Sequence, residues 1–230
     1  IGMENADLLV PLAFAIIIGT VLVQGSTAKF IAKRLGVAEP EDSGFLIVGA
    51  NPVARTVAKA LNDNGFRTRL TDGSWTNVKE ARMNGLDTYY GNAVSEHADR
   101  HLDLIGLGGV LSLTPQSELN ALAGLRYKSE FGSNQVYFLS TEKEKSKERS
   151  EAKSRKAISH DSHVLFGSEV TYAKLASLLS RGAKLKQTKL TENFSFEDYL
   201  QQHGRRVTPL FAFNPRRRLR FFTAAASPKP

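Results

Sequence analysis

Between Leu8 and Ala28 the chain reads LLVPLAFAIIIGTVLVQGSTA, without one charged residue. Apolar side chains here fall all round a helix rather than along one stripe. At about 1.5 Å rise per residue the run reaches roughly 30 Å, the thickness of a bilayer core. Glu4 and Asp7 precede it; Lys29, Lys33 and Arg34 follow. A secretory leader needs a positive front region, and this front is acidic. Positive residues stay on the cytoplasmic side, so the pattern predicts one membrane helix with everything after about residue 29 in the cytoplasm. Pro11, Gly19, Thr20, Gln24 and Gly25 are tolerated in spans that pack against further helices. Together with the start at Ile1, they lead to the expectation of a fragment: the last helix of a multi-span protein and its tail.

After residues 39–44, a short polar linker with a proline, the pattern changes. Phe45-Leu46-Ile47-Val48 is a continuous apolar run, as a strand buried on both faces requires. Pro52 suits a first helical turn, and Val53, Val57, Ala58 and Leu61 recur at helical spacing up to a cap at Gly65. Further strands are expected over 66–70, 87–90, 109–113 and 135–139. Helices are expected over 74–83, 93–104 and 116–131, the last carrying Leu119, Leu122 and Leu125. Strands alternating with helices make a parallel sheet covered on both faces. Residues 142–156, EKEKSKERSEAKSRK, read as an exposed helix with i,i+4 pairs or as a solvated linker. A sixth strand over 164–166 and a helix over 171–179 follow. KLKQTKL, RRVTPLFAF and RLRFFTA look like strands of a small appendix. The expected plan is α/β: a Rossmann-like doubly wound parallel sheet, preceded by one transmembrane helix and followed by a small β-rich appendix. Its expected parts are residues 1–38, the linker 39–44, the sheet domain 45–182 and the appendix 183–230.

Composition narrows the chemistry. The 31 Lys and Arg against 23 Asp and Glu give a net charge of +8, and there is no cysteine among the 230 residues. A disulfide scaffold, a thiolate zinc site and a cysteine nucleophile are excluded. A basic chain suits nucleic acid, an anionic membrane or a phosphate-bearing ligand. The run 142–156 is too acidic for a nucleic-acid arm, so no nucleic-acid partner is expected. His160 and His163 lack a further ligand and read as a loop, with no metal. Arg216-Arg217-Arg218-Leu219-Arg220 either touches anionic groups or protects a hairpin edge with charge.

Gly49-Ala50-Asn51-Pro52-Val53-Ala54 stands where a dinucleotide fingerprint, G-x-G-x-x-G/A, joins strand to helix. The first Gly allows the tight turn, the second lets backbone approach a pyrophosphate, and the third position packs helix on strand. Here Asn51 replaces the second Gly. The helix start presents N–H groups to a phosphate. Asp72, roughly 20 residues on and followed by Gly73, stands where a carboxylate accepts ribose hydroxyls; otherwise it is a turn residue. Its charge favours NAD or adenosine phosphates over NADP. Gly91-Asn92-Ala93 faces the same crevice, with Asn92 either against an adenine edge or capping a helix. Ser112 and Thr114 line the fourth strand's end, unless Thr114 only caps the next helix. Catalysis finds no such pattern: Gly-x-Ser-x-Gly, the P-loop and a Ser-His-Asp order are missing.

In that order, VLVQGSTAKFIAKRLGV, FLIVGANPVARTVAKAL, LTDGS, YYGNAVSE and LTPQSELNALAGLRYKSEFG resemble the last helix and cytoplasmic RCK (TrkA-N) domain of a bacterial monovalent cation:proton antiporter. The resemblance implies a regulatory site for NAD or NADH, or alternatively ADP, ATP or AMP, rather than an enzyme. It carries Gly49, Asn51, Ala54, Asp72, Asn92 and Ala93 over as ligand positions. It implies an inner-membrane Na+ or K+ antiporter whose other helices form the transport domain, and a homodimer. Two departures stand out: Asn51, which narrows or closes the pyrophosphate site, and a C-terminal end expected to be cut short. The alternatives are an RCK tail of a potassium channel or uptake system, and a membrane-anchored NAD-dependent oxidoreductase. The last wants Tyr-x-x-x-Lys, which neither Tyr172 with Lys174 nor Tyr127 with Lys128 supplies.

Overall fold

The computed structural model describes residues 6–35, 43–140, 163–167, 169–191, 194–204, 207–213 and 219–224. The chain falls into two units, divided between Pro40 and Glu41. The first holds one helix, α1 (Ala6–Leu35). Its segment Val10–Ala28 is long and apolar enough to cross a membrane, and every side chain in it is exposed. Its hydroxyls bond back to carbonyls of their own helix: Thr20 to Ile17 at 2.8 Å, Ser26 to Leu22 and Thr27 to Val23 at 2.7 Å. A helix in lipid must satisfy its polar groups internally in this way.

The second unit is built on a five-stranded parallel sheet in the order β3-β2-β1-β4-β5. These strands are β1 (Gly44–Val48), β2 (Thr68–Asp72), β3 (Thr88–Tyr90), β4 (Leu107–Ser112) and β5 (Val136–Phe138). The helices between them are α2 (Pro52–Asp63), α3 (Trp75–Met83), α4 (Glu96–His101) and α5 (Ser117–Phe131). β1 is central and wholly buried. Its alternate residues feed two cores. Phe45 and Ile47 join Leu70, Leu111 and the α2 stripe Val53, Val57 and Leu61 on one face. Leu46 and Val48 join Val110, Ala123 and Tyr127 on the other. The expected doubly wound sheet is therefore present.

Several elements depart from expectation. The helix expected over 93–104 is confined to α4, because residues 92–95 are a turn in which Ser95 donates to the Asn92 carbonyl at 2.8 Å. Ser95 then accepts from the Ala98 N–H and starts the helix. On α5 the sheet-facing residues are Asn120, Ala123 and Tyr127, while Leu122 and Leu125 are exposed. The sixth strand over 164–166 is two isolated bridges, Val164 to Phe138 and Leu165 to Thr223. Phe166 at φ 66° and Gly167 at φ 92° turn the chain out of extended geometry at once. The expected helix near 171–179 is α6 (Tyr172–Ser180). KLKQTKL forms no strand. A helix not foreseen, α7 (Phe196–His203), opens on a capping box between Ser195 and Asp198. That S-x-x-D signal was readable in the sequence. The run 142–156 and the arginines 216–218 lie outside the described residues.

The small antiparallel pair β6 (Phe211–Phe213) and β7 (Leu219–Phe221) is the expected appendix, but its apolar face belongs to the main core. Phe221 meets Phe45 edge-on at 5.4 Å and Tyr137 at 5.1 Å, and Phe213 stacks on Phe66 at 5.7 Å. Replacing Phe221 with Ala therefore costs about 3–5 kcal/mol of unfolding free energy, as removal of a core aromatic does. Urea unfolding of the variant checks it. A loss under about 1 kcal/mol would mean that the pair hangs free of the core.

Candidate functional site

Strand order reverses between β1 and β4, and in open α/β sheets the ligand crevice lies above the strand ends at that reversal. The turn leaving β1 is tightly built. Gly49 sits at φ +110°, and a Cβ on it would lie 3.1 Å from Asn51 Nδ2 and 3.3 Å from both the Leu113 oxygen and Thr114 Cγ2. Its N–H donates to the Thr71 carbonyl at 2.7 Å. Asn51 is 7 % exposed and caps α2: its Oδ1 accepts from the Ala54 N–H at 3.0 Å, and its Nδ2 donates to the Leu113 carbonyl at 2.7 Å. Pro52 follows at the first helical position, where no N–H is needed. The side chains of Val53 and Ala54 are buried in the core, so only their backbone faces the helix end. Among the described residues no acceptor stands against the N–H groups of Asn51 and Val53. These are the donors left for an anion at the helix start.

Asp72 closes the other side of this turn. Its Oδ2 accepts from the Ala50 N–H at 2.8 Å and from Asn77 Nδ2 at 2.9 Å; its Oδ1 accepts from the Ser74 N–H at 2.8 Å. Each carboxylate oxygen takes about two hydrogen bonds. One acceptor position therefore remains, on Oδ1, enough for one ribose hydroxyl. Gly73 beside it is exposed, with open space where a Cβ would be. Arg55, one turn into α2, donates from Nη1 to the Ala50 carbonyl at 2.7 Å and pairs through Nη2 with Glu80 at 2.6 Å. On α6, burial pushes the Tyr172 phenol up; the Asp72 charge adds to this and the Arg55 charge opposes it.

The remaining expected positions divide. At the end of β3, Gly91 donates its N–H to the Asp72 carbonyl at 3.0 Å. Asn92 is exposed; its Oδ1 accepts from the Val94 N–H at 3.1 Å, and its Nδ2 has no partner among the described residues. Ser95, not Asn92, caps α4. Ala93 is buried, and its carbonyl accepts from the Tyr127 hydroxyl at 2.7 Å. At the end of β4, Ser112 is wholly buried with an unpartnered Oγ. Thr114, 6 % exposed, donates to Asn120 Oδ1 at 2.7 Å while its oxygen accepts from the Gln116 N–H at 3.2 Å. Gly49, Ala50, Asn51, Asp72 and Gly73 thus share one crevice edge, whereas Thr114 is tied into the protein interior. Sequence reasoning missed Arg55, Asn77 and Tyr172. A cation in the first turn of a helix opposes the helix dipole, and that signal marks Arg55.

Two variants test this network. Asp72→Ala strands the buried Ala50 N–H and lowers unfolding free energy by about 1.5–3 kcal/mol, read by urea unfolding. Burial pushes the Tyr127 phenol up to about 12, above its ordinary value of 10.0. A raised folded-state pKa gives stability that is fully present below pH ~10 and is lost as pH rises through ~12. Tyr127→Phe flattens that alkaline fall and costs about 1 kcal/mol at neutral pH through the lost bond to Ala93. An unchanged alkaline profile would contradict the burial assigned to this phenol.

Among solved structures, the chain is similar to the NAD(P)-binding domain of an exopolyphosphatase-related protein from Archaeoglobus fulgidus, at 21 % identity and a TM-score of 0.37, over 47 % of this chain and 81 % of that one. It is also similar to the TrkA-N domain of the inner membrane protein ybaL from Escherichia coli, at 18 % identity and a TM-score of 0.35, over 42 % and 70 % of the two chains. No curated protein matches. The TrkA-N domain model matches residues 45–160, half of the 230-residue chain, from the first residues of β1 past the end of β5. The chain belongs to the TrkA-N domain family.

Proposed function

We propose that this chain is the C-terminal regulatory part of an inner-membrane monovalent cation (Na+ or K+):proton antiporter. In this reading α1 is the last transmembrane helix, and the cytoplasmic sheet domain binds NAD(H) or an adenine nucleotide to control transport. The observation that carries the nucleotide part is the turn at the end of β1. Two unpartnered N–H groups, of Asn51 and Val53, stand at the start of α2, beside a carboxylate with one acceptor position left. That set fits a nucleoside phosphate: N–H groups for the phosphate, Asp72 Oδ1 for a ribose hydroxyl, and Asn92 Nδ2 for a base edge. The negative Asp72 disfavours a 2′-phosphate, which supports NAD over NADP. The family membership, the apolar segment Val10–Ala28 and the lysines and arginine after it support the transporter context.

The site binds and does not turn its ligand over. Its polar side chains at the turn, Asn51 and Asp72, are engaged by backbone groups and by Asn77 rather than poised as acid or base. Control of transport then requires that the nucleotide bind two transporter states unequally. A ligand bridging the β1 turn and the Asp72 loop stiffens those segments together, and that is the local event to be passed on. The domain pairs as a homodimer, for which the exposed Leu122 and Leu125 on α5 offer apolar surface.

Calorimetric titration of the full chain in detergent with NAD, NADH, ADP, ATP and AMP tests the reading. At least one nucleotide binds, and Asp72→Ala weakens it tenfold or more. Absence of binding by all five to a folded chain would overturn the nucleotide site.

A further inference from the structure

We infer that the crevice takes an adenine mononucleotide rather than a dinucleotide. The inference rests on the nucleotide reading above and concerns which half of the crevice is open. A dinucleotide must cross the switch point, with one nucleoside over β1 and β2 and the other over β4 and β5. The crossing works when the second fingerprint position is glycine, because bare backbone then lets the pyrophosphate through. Here that position is Asn51, and its side chain lies across the gap. The 2.7 Å bond from Nδ2 to the Leu113 carbonyl joins the β1 turn to the chain leaving β4. The packing beneath it is close, for a Cβ on Gly49 would meet Asn51 Nδ2 at 3.1 Å and the Leu113 oxygen at 3.3 Å.

The two sides of this bar differ. Beyond it, Leu113, Thr114, Leu139, Ser140 and Thr171 are all buried. Most of their polar groups are taken: Thr114 by Asn120 and Gln116, the Ser140 carbonyl by the Tyr172 N–H at 3.2 Å, and the Thr171 hydroxyl by the Lys174 N–H at 3.3 Å. Ser112 Oγ, unpartnered on that side, is wholly buried, so a second nucleoside finds no exposed free side-chain group among these residues. On the near side Gly73, Ser74 and Asn92 are exposed, and Asp72 keeps one acceptor position. Trp75 and Tyr90 stand exposed at the same strand ends, their rings edge-on at 5.4 Å. Phosphate donors, one ribose acceptor and aromatic surface thus all lie on one side, and they add up to one nucleoside with its phosphate.

The test compares AMP, ADP and NAD on the full chain in detergent by calorimetry. Trp75, the one tryptophan of the chain, gives a second optical readout for AMP. AMP or ADP binds at least tenfold more tightly than NAD and shifts the Trp75 emission. Asn51→Gly removes the bar and raises NAD affinity relative to AMP tenfold or more. Asn51→Ser keeps a helix cap and loses the reach to Leu113, so it gives the same change if the glycine variant folds poorly. NAD binding as tightly as AMP to the unaltered chain, or an NAD-to-AMP ratio that neither variant moves, would overturn the inference and leave the nucleotide site standing. No binding by any nucleotide would overturn both.

Discussion

Three hydrogen bonds converge on the Asp72 carboxylate, and the crevice takes its shape from them. They come from the Ala50 N–H in the turn after β1, the Ser74 N–H in the turn after β2, and the Asn77 side chain on α3. Ala50 is wholly buried, so its N–H has no water to turn to. An unmet buried donor costs about 1–3 kcal/mol, and Asp72 removes that cost. The same carboxylate thereby fixes how far apart the two turns stand and how many hydroxyls it can still accept. Under the proposed function, stability and ligand chemistry meet in one side chain, and a change there moves both.

Asn51 solves at the second fingerprint position a problem that glycine solves differently. Glycine leaves the helix start bare. Asparagine caps it, taking the Ala54 N–H, and reaches on to the Leu113 carbonyl. Its backbone, at φ −67° and ψ 172°, is open to any residue, so the turn itself does not demand glycine at this point. Gly49, at φ +110° and closely surrounded, does. Arg55 completes the turn by holding the Ala50 carbonyl and Glu80 of α3, so that α2, α3 and the β1 turn form one connected block.

Much of this was legible in the sequence. A continuous apolar run located β1, because a strand buried on both faces has no polar side to show. Pro52 marked the start of α2, and Gly49 and Asp72 marked the ends of β1 and β2. What the sequence hid depends on side-chain contacts that no local pattern announces. Nothing near Asp72 announces that Ala50 and Asn77 occupy it. Nothing near Thr114 announces the bond to Asn120 that draws it inward. The 211–221 stretch read as a separate appendix because its phenylalanines find Phe45, Phe66 and Tyr137 only across the fold. Leu122 and Leu125 look like core by type, yet Asn120, Ala123 and Tyr127 hold the sheet-facing side of α5. By contrast, the Ser195–Asp198 box that opens α7 is a local signal.

The measurement that bears most directly on the account is amide hydrogen exchange of the full chain with and without AMP, read by peptide segment. In the proposed reading the Asp72-organised edge is the part that binds, so AMP slows exchange over residues 49–55 and 72–77 and leaves 112–120 unchanged. Slowing centred on 112–120, with 49–55 and 72–77 unaffected, would contradict it.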